Sequence, residues 1–529
     1  MEEYILSQSE TIEVKYGEYT KLTSMKHETD YGKEGAQRIY KNTISIFKSI
    51  IELRDKTLSN MLLVGRVQSG KTSNLEMLTA IAFDNGYNSV IIYGGYDTVL
   101  LNQTKQRFER AFNVSEDSNV HVFSTSDSNE LLNVDQDIVD TIINIDDGKI
   151  IFVSMKRSLA LSKINSVINS IDTRGLKAFI IDDEGDQASL NTEFKKMSSS
   201  PTYSQIVQMK DALHDPLYLS VTATPQALIF SPEMSRLRPD DSRLIHPGNG
   251  YTGADSFHIK EGNIFRVSDD TEYIKKGRIP QFLINSINYH IIASAIMKNR
   301  EFNSSDMIIH CAKEKEVHTT LYTNISNYFE NFKANIKSKS NDLEKRKKQL
   351  ESIYDDANYF SRQITSKYKF DELWESICFI VEKTYIVLQN SAGKITMSNL
   401  NLRKYKIFIG GDLLQRGITF KKLITTYFTR WPKSTGNMDT TLQRARWFGY
   451  RNDYLDLCKI FCTKEIAFKY SKLTEIDNDL WDQFESIENN QLTLEDIIID
   501  ENDNPIMYKE CSCNFIDMGK CMDTGPAGF

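Results

Sequence analysis

The stretch Met61-Leu-Leu-Val-Gly-Arg-Val-Gln-Ser-Gly-Lys-Thr72 constrains the fold of this chain more than any other. Its apolar start, Met61 to Val64, reads as a short buried strand, and Asn74 to Phe83 reads as a helix. Between them Gly65 and Gly70 bracket four residues, and Lys71 and Thr72 follow, which is the spacing of a phosphate-binding loop. Glycine lets backbone N–H groups turn inward around phosphate oxygens, and the following helix offers them its positive end. Gly65, Gln68, Ser69, Gly70, Lys71 and Thr72 are therefore the candidate nucleotide contacts. Lys71 has the reach for β- and γ-phosphates, and Thr72 carries a hydroxyl for Mg²⁺. A plain Gly-rich turn between strand and helix would not need a Lys-Thr pair at the helix start.

A chain of 529 residues is too long for one hydrophobic core, so two or three domains are expected. No apolar run approaches membrane-spanning length, and the acidic start Met1-Glu-Glu-Tyr-Ile does not have the form of a signal peptide. No membrane partner is expected. Seven cysteines in such a length are not a disulfide framework, which points to a reducing cytoplasm. Cys511, Cys513 and Cys521 lack the paired rhythm and fourth ligand of a zinc site and read as free thiols. A formal net charge of −8 excludes a general polyanion binder but leaves room for a local basic groove.

Beyond the loop, apolar runs alternate with helical patterns: Ser89 to Tyr93, Val120 to Phe123, Lys149 to Ser154 and Leu217 to Val221. That alternation argues for a parallel sheet covered on both faces. Asp97 reads as the N-cap of a helix holding Gln103, Thr104 and Arg107. The run Ala178-Phe-Ile-Ile-Asp-Asp-Glu-Gly-Asp186 ends a buried strand in acids. Asp183 is placed to hold Mg²⁺ and Glu184 to orient or deprotonate the attacking water. Small hydroxyl residues at the end of the next strand, Thr222-Ala-Thr224, can bond to that acidic motif.

The phosphate loop, Asp183-Glu184-Gly185-Asp186 and Thr222-Ala223-Thr224, in that order, resemble the first motor domain of superfamily-two helicases. The resemblance implies two RecA-like domains in tandem, ATP held between them, and arginines from the second. The segment Lys404 to Thr419, with Asp412, Arg416 and Gly417, resembles the fifth motif of that family. The segment Asp439 to Arg451, with Gln443, Arg446 and Arg451, resembles the sixth, whose arginines reach the γ-phosphate. Arginine suits this role through its permanent charge and planar fork. Gln103, Thr104, Arg107, Thr224 and Arg416 are implied contacts along nucleic acid. Gly411, Thr419 and Ala445 stand where relatives carry Thr, Asp and Gly, which bears on strand separation more than on hydrolysis.

A narrower resemblance rests on Val64 to Thr72, Asp182 to Ala188, Leu244-Ile-His-Pro-Gly-Asn-Gly-Tyr-Thr-Gly253 and Arg446 to Arg451. Together they are similar to a bacterial family named for its Z-one domain, which carries an endonuclease label and accompanies phage-defence or DNA-modification partners. It spans residues 60–470, roughly, in this chain. The residues themselves do not support a nuclease centre. Glu13-Val14-Lys15 has half of a metal-nuclease pattern without a preceding Asp, and the histidines are scattered.

The fold class expected is thus α/β, with two parallel-sheet domains in tandem, a helical insertion and helical termini. The domains expected are a helical segment 1–58, a first RecA-like domain 59–235, a linker 236–300, a second RecA-like domain 301–470 with an insertion at 315–395, and a tail 471–529. Lys337, Lys339, Lys345, Arg346, Lys347 and Lys348 form a basic run, followed by Tyr354, Tyr359, Phe360, Tyr368, Phe370 and Trp374. Such a run is either a solvated helix face or a phosphate-contacting arm. The expected function is a nucleic-acid-dependent ATPase using ATP and Mg²⁺, with DNA as partner and defence-system subunits as further partners. The alternatives are an ATP-gated scaffold that senses nucleic acid and recruits an effector, or an endonuclease subunit.

Overall fold

Alternate residues of a strand face opposite sides of its sheet, and the apolar runs of this chain are apolar at both parities. In the computed structural model Val90 and Ile92 enter one core cluster while Ile91 and Tyr93 enter another. Phe179 and Ile181 divide from Ala178 and Ile180 in the same way. Such strands must be covered on both faces. The structure describes residues 13–497 and 516–517, apart from 56–57, 96–97, 116–117, 146, 192–197, 230, 232–233, 261, 269–270, 390–401, 412–413, 415–419, 421 and 432–435.

The described chain divides into two compact units. Unit 1 takes the residues up to Asn249 and those from Leu480 to 497, and unit 2 takes Gly250–Asp479 with 516–517. Unit 1 is built on seven parallel strands: β1 (Asn60–Gly65), β2 (Ser89–Tyr93), β3 (Val120–Ser124), β4 (Lys149–Ser154), β5 (Ala178–Asp183), β6 (Leu217–Thr222) and β7 (Asp241–Ile245). Their order is β3-β4-β2-β5-β6-β1-β7, so the strand before the phosphate loop lies between β6 and β7. The last of these strands lies beyond residue 235, where the first domain was expected to end.

One face of this sheet carries α1 (Glu18–Asp55) and α2 (Lys71–Asp84) through Phe47, Ile50, Leu78 and Ile81. The other face carries the helices Ser158–Asn169 and Pro201–Ala212 through Leu161, Ile164, Ile206 and Met209. Within the segment 1–58 expected to be helical, the helix runs from Glu18 to Asp55 and breaks at Gly32, whose φ of 73° only glycine adopts readily. Glu13-Val14-Lys15 forms no strand; the Lys15 amide donates to Asn85 Oδ1 at 2.8 Å.

Unit 2 adds β8 (Tyr251–Thr252), β9 (Ile264–Val267), β10 (Ser305–His310), β11 (Thr384–Gln389), β12 (Tyr405–Gly410), β13 (Leu423–Phe428), β14 (Gly436–Asn437), β15 (Gly449–Tyr450), β16 (Lys459–Thr463) and β17 (Ile516–Asp517). Six of them form a parallel sheet in the order β11-β12-β10-β13-β16-β9. The fold class is therefore the expected one: α/β, with two parallel-sheet units in tandem. The insertion holds the helices Lys315–Ser338, Asn341–Asp355, Arg362–Lys367 and Phe370–Lys383.

The aromatics of the insertion fill its core: Tyr354, Tyr359, Phe360 and Phe370 are buried. Several of its basic residues are engaged locally. Arg346 lies 4.3 Å over the Tyr328 ring, and Lys347 pairs with Asp371 at 2.7 Å. These two contacts are of the kind the solvated-face alternative expects. No described helix is long and apolar enough to cross a membrane.

Candidate nucleotide site

β1 delivers Gly65 to the C-terminal edge of its sheet, where the chain turns through Gln68 (φ 58°) and Gly70 (φ 92°) into α2. Gly70 stands in the left-handed region that glycine tolerates at no steric cost. The turn is closed by Ser69 N donating to Arg66 O at 3.1 Å. At Gly65 the constraint is a close approach: a Cβ there would lie 2.7 Å from Lys71 Cγ. The Lys71 stem crosses Gly65, and Nζ donates to the Gly65 and Arg66 carbonyls, both at 3.3 Å. The six residues expected to contact nucleotide thus run from the end of β1 through this turn into the start of α2.

Period two explains the acidic motif. Asp183 continues the parity of Phe179 and Ile181, the face that carries α2, whereas Asp182 continues that of Ala178 and Ile180. Asp183 accordingly feels the charges of Lys71, Lys156 and Arg107. Burial holds its carboxyl above the usual range; these three cations offset part of that rise, and the neighbouring Asp182 charge adds to it. Asp182 is buried on the other face, where Tyr218 OH donates to Oδ2 at 2.5 Å and Lys156 Nζ lies 2.6 Å from Oδ1. Glu184 follows at φ 56°, and its Oε2 is buried with no hydrogen-bond partner among the described residues. An acceptor oxygen left open in that position is suited to a water or hydroxyl hydrogen.

The third motif is tied to the second. Thr222 Oγ1 donates to Asp186 Oδ1 at 2.7 Å, and Thr224 Oγ1 to Oδ2 at 3.1 Å. The hydroxyl-to-acid bond expected from sequence is present, and it leaves Thr224 wholly buried. Arg107, expected along nucleic acid, instead donates from Nη1 to Thr72 Oγ1 at 3.0 Å. Thr104 closes on its own helix, α3 (Thr98–Ala111), by donating to Leu100 O at 3.1 Å, and Gln103 beside it is half-buried. Asp97, Asp412, Arg416, Gly417 and Thr419 lie outside the described residues, as do Cys511, Cys513 and Cys521.

In unit 2, the helix Met438–Arg444 carries Gln443, which is buried, and leads to Arg446, which is half-buried. Arg444 and Arg446 line a small recess with Ile308, His310, Thr426 and Phe428, at the ends of β10 and β13. Arg451 is different. It is 2% exposed, and its guanidinium donates to Trp447 O at 2.6 Å, to Arg446 O and Phe448 O at 3.1 Å each, and to Tyr454 OH at 3.1 Å. The turn 446–451 is wound around it.

The end of β7 and the loop that follows it are anchored within unit 1 by Glu488. Its Oε1 accepts from Leu244 N at 2.8 Å, and its Oε2 pairs with His246 Nε2 at 2.9 Å. Trp481 lies edge-on to His246 and under the Arg66 guanidinium at 4.4 Å, so the C-terminal end of the helix Lys464–Glu488 reaches the phosphate loop. Sequence motifs pointed to neither Lys156 nor Trp481. Lys156 lies two residues beyond β4 in a segment read only as a strand followed by a helix.

A protein-family model described as the Z1 domain matches residues 282–507. The match begins well after the phosphate loop, so the expected span from about residue 60 is not the matched one. No curated protein is similar enough to stand as a relative. Among solved structures the chain is similar to S. cerevisiae Dbp5 bound to RNA and ADP BeF3, at 13% identity, 82% of this chain, 90% of that one and a TM-score of 0.39. It is similar to the DUF1998 helicase MrfA bound to DNA, at 12% identity, 87% of this chain and a TM-score of 0.43, and it spans 53% of that protein. A DEAD box protein from the hyperthermophile Methanococcus jannaschii gives 14% identity, 83% and 93% coverage, and a TM-score of 0.34.

Proposed function

We propose that the protein is a nucleic-acid-dependent ATPase of the superfamily-two helicase type. The observation that carries this is the glycine turn with Arg107 on the Thr72 hydroxyl at 3.0 Å, and with Lys71 and Arg107 both acting on the charge of the Asp183 carboxyl. Two cations beside a glycine turn at a helix start suit a triphosphate. Thr72 and Asp183 offer the hard oxygens that Mg²⁺ prefers, and the metal bound there would neutralise charge on the phosphates. Glu184, with an open acceptor oxygen, is the base or orienter for water. Arg107 then belongs to the nucleotide rather than to nucleic acid, as a second phosphate cation beside Lys71.

Gln443 and Arg446 contribute to the same turnover, as the helicase resemblance implies. Arg451, committed to main-chain carbonyls, positions that turn. DNA is the partner that the Z-one resemblance favours, and work beside phage-defence or DNA-modification proteins is the finer reading it implies.

The test is phosphate release from ATP and Mg²⁺ with single-stranded DNA, duplex DNA or RNA at fixed salt, beside a strand-displacement assay. Turnover that nucleic acid stimulates and Lys71→Ala abolishes supports the reading. Stimulation without displacement makes the protein a translocase or sensor. Equal turnover in Lys71→Ala refutes the site.

A further inference from the structure

Lys156 is a lysine with a side chain of 0% exposure. Its ammonium lies 2.6 Å from Asp182 Oδ1 and donates to Glu184 O at 2.6 Å and to Gln187 O at 3.5 Å. A fully buried ion pair is a weak source of stability, because both charges lose their water. Two carbonyl contacts in the loop that follows the acidic strand give this one another use. The Glu184 carbonyl accepts twice, from Lys156 and from Gln187 N at 2.9 Å. The residue so held is in the left-handed region, at φ 56°, where non-glycine residues are uncommon.

We propose that Lys156 is a positioning residue, holding the Glu184 main chain in the conformation that aims its open carboxylate oxygen at the reacting water. Asp182 is the counter-charge that makes a cation tolerable there, and Tyr218 fixes Asp182 in turn. The inference rests on the reading of unit 1 as a triphosphatase and adds to it a residue outside every motif.

The test is the pair of variants Lys156→Met with Asp182→Asn, and Lys156→Gln with Asp182→Asn. Neither leaves a buried charge unpaired, and thermal melting checks that each folds. The Met form should lose kcat by about tenfold or more while KM for ATP and affinity for a non-hydrolysable triphosphate stay within about threefold. The Gln form, which keeps an N–H donor for the Glu184 carbonyl, should recover about threefold or more of that loss. Native kcat in the Met form, equal kcat in both forms, or a loss of nucleotide binding matching the loss of kcat would overturn the inference. If the unaltered protein shows no Lys71-dependent turnover, the proposed function fails and takes this inference with it. If Lys71→Ala abolishes turnover and the Met form leaves it intact, the inference alone fails.

Discussion

Lys156 in unit 1 and Arg451 in unit 2 are both buried cations that donate to main-chain carbonyls, yet only Arg451 stands inside a sequence motif. Lys156 holds the carbonyl of Glu184, and Arg451 holds that of Arg446. In each unit the residue held is half-buried and carries the group suited to chemistry. Membership of a motif therefore does not by itself assign a side chain to the reaction. What can be said of Arg451 is that a guanidinium spent on four protein oxygens has little left for a phosphate.

This comparison is most exposed at Arg451. Replacing it by Met should destabilise unit 2 by about 3 kcal/mol, since several buried acceptors lose a charged donor at once. Urea unfolding reads this directly. A variant that melts like the native protein but no longer hydrolyses ATP would make Arg451 a reacting residue after all. Arg446→Ala should behave in the opposite way, with stability within about 1 kcal/mol of native and turnover down about 10²-fold. If the two variants were alike in both assays, the division of labour would be lost.

The smallest effect expected is at His246. Its hydrogen bond to Glu488 raises its pKa, Glu485 adds to this, and burial and Arg38 oppose it. A raised folded value means stability that is full below the unfolded value, near 6.5, and fades as pH rises through the folded one. The melting temperature should therefore fall as pH rises above about 6.5 and through the raised folded value, and the fall should vanish in His246→Gln. With the His246 side chain 39% exposed, solvent screening keeps the effect below about 1 kcal/mol. A pH-independent difference between the two would show that the ion pair does not anchor this loop.

The α/β class was legible because both parities of each strand are apolar, and the phosphate loop because Gly65, Gly70, Lys71 and Thr72 are local in sequence. Asp183 and Glu184 were legible as acids ending a strand. The tie from Thr222 and Thr224 to Asp186 was anticipated from residue type alone. What sequence could not convey was direction. Nothing in the spacing around Arg107 tells that it turns to Thr72, and nothing in the sixth motif tells that Arg451 is wrapped by its own turn. Lys156 carries no local signal, because its partners lie 26 to 31 residues on and meet it only when β4 and β5 enter one sheet. Asp182 and Asp183 are adjacent acids with opposite surroundings, and only the pleat separates them.

The most direct test of the account is a single-turnover comparison of Glu184→Gln with the native protein. The account predicts that the variant binds a fluorescent ATP analogue with Kd within about threefold of native while phosphate release falls by about 10²-fold or more. Phosphate release at the native rate in a variant that still binds nucleotide would contradict it.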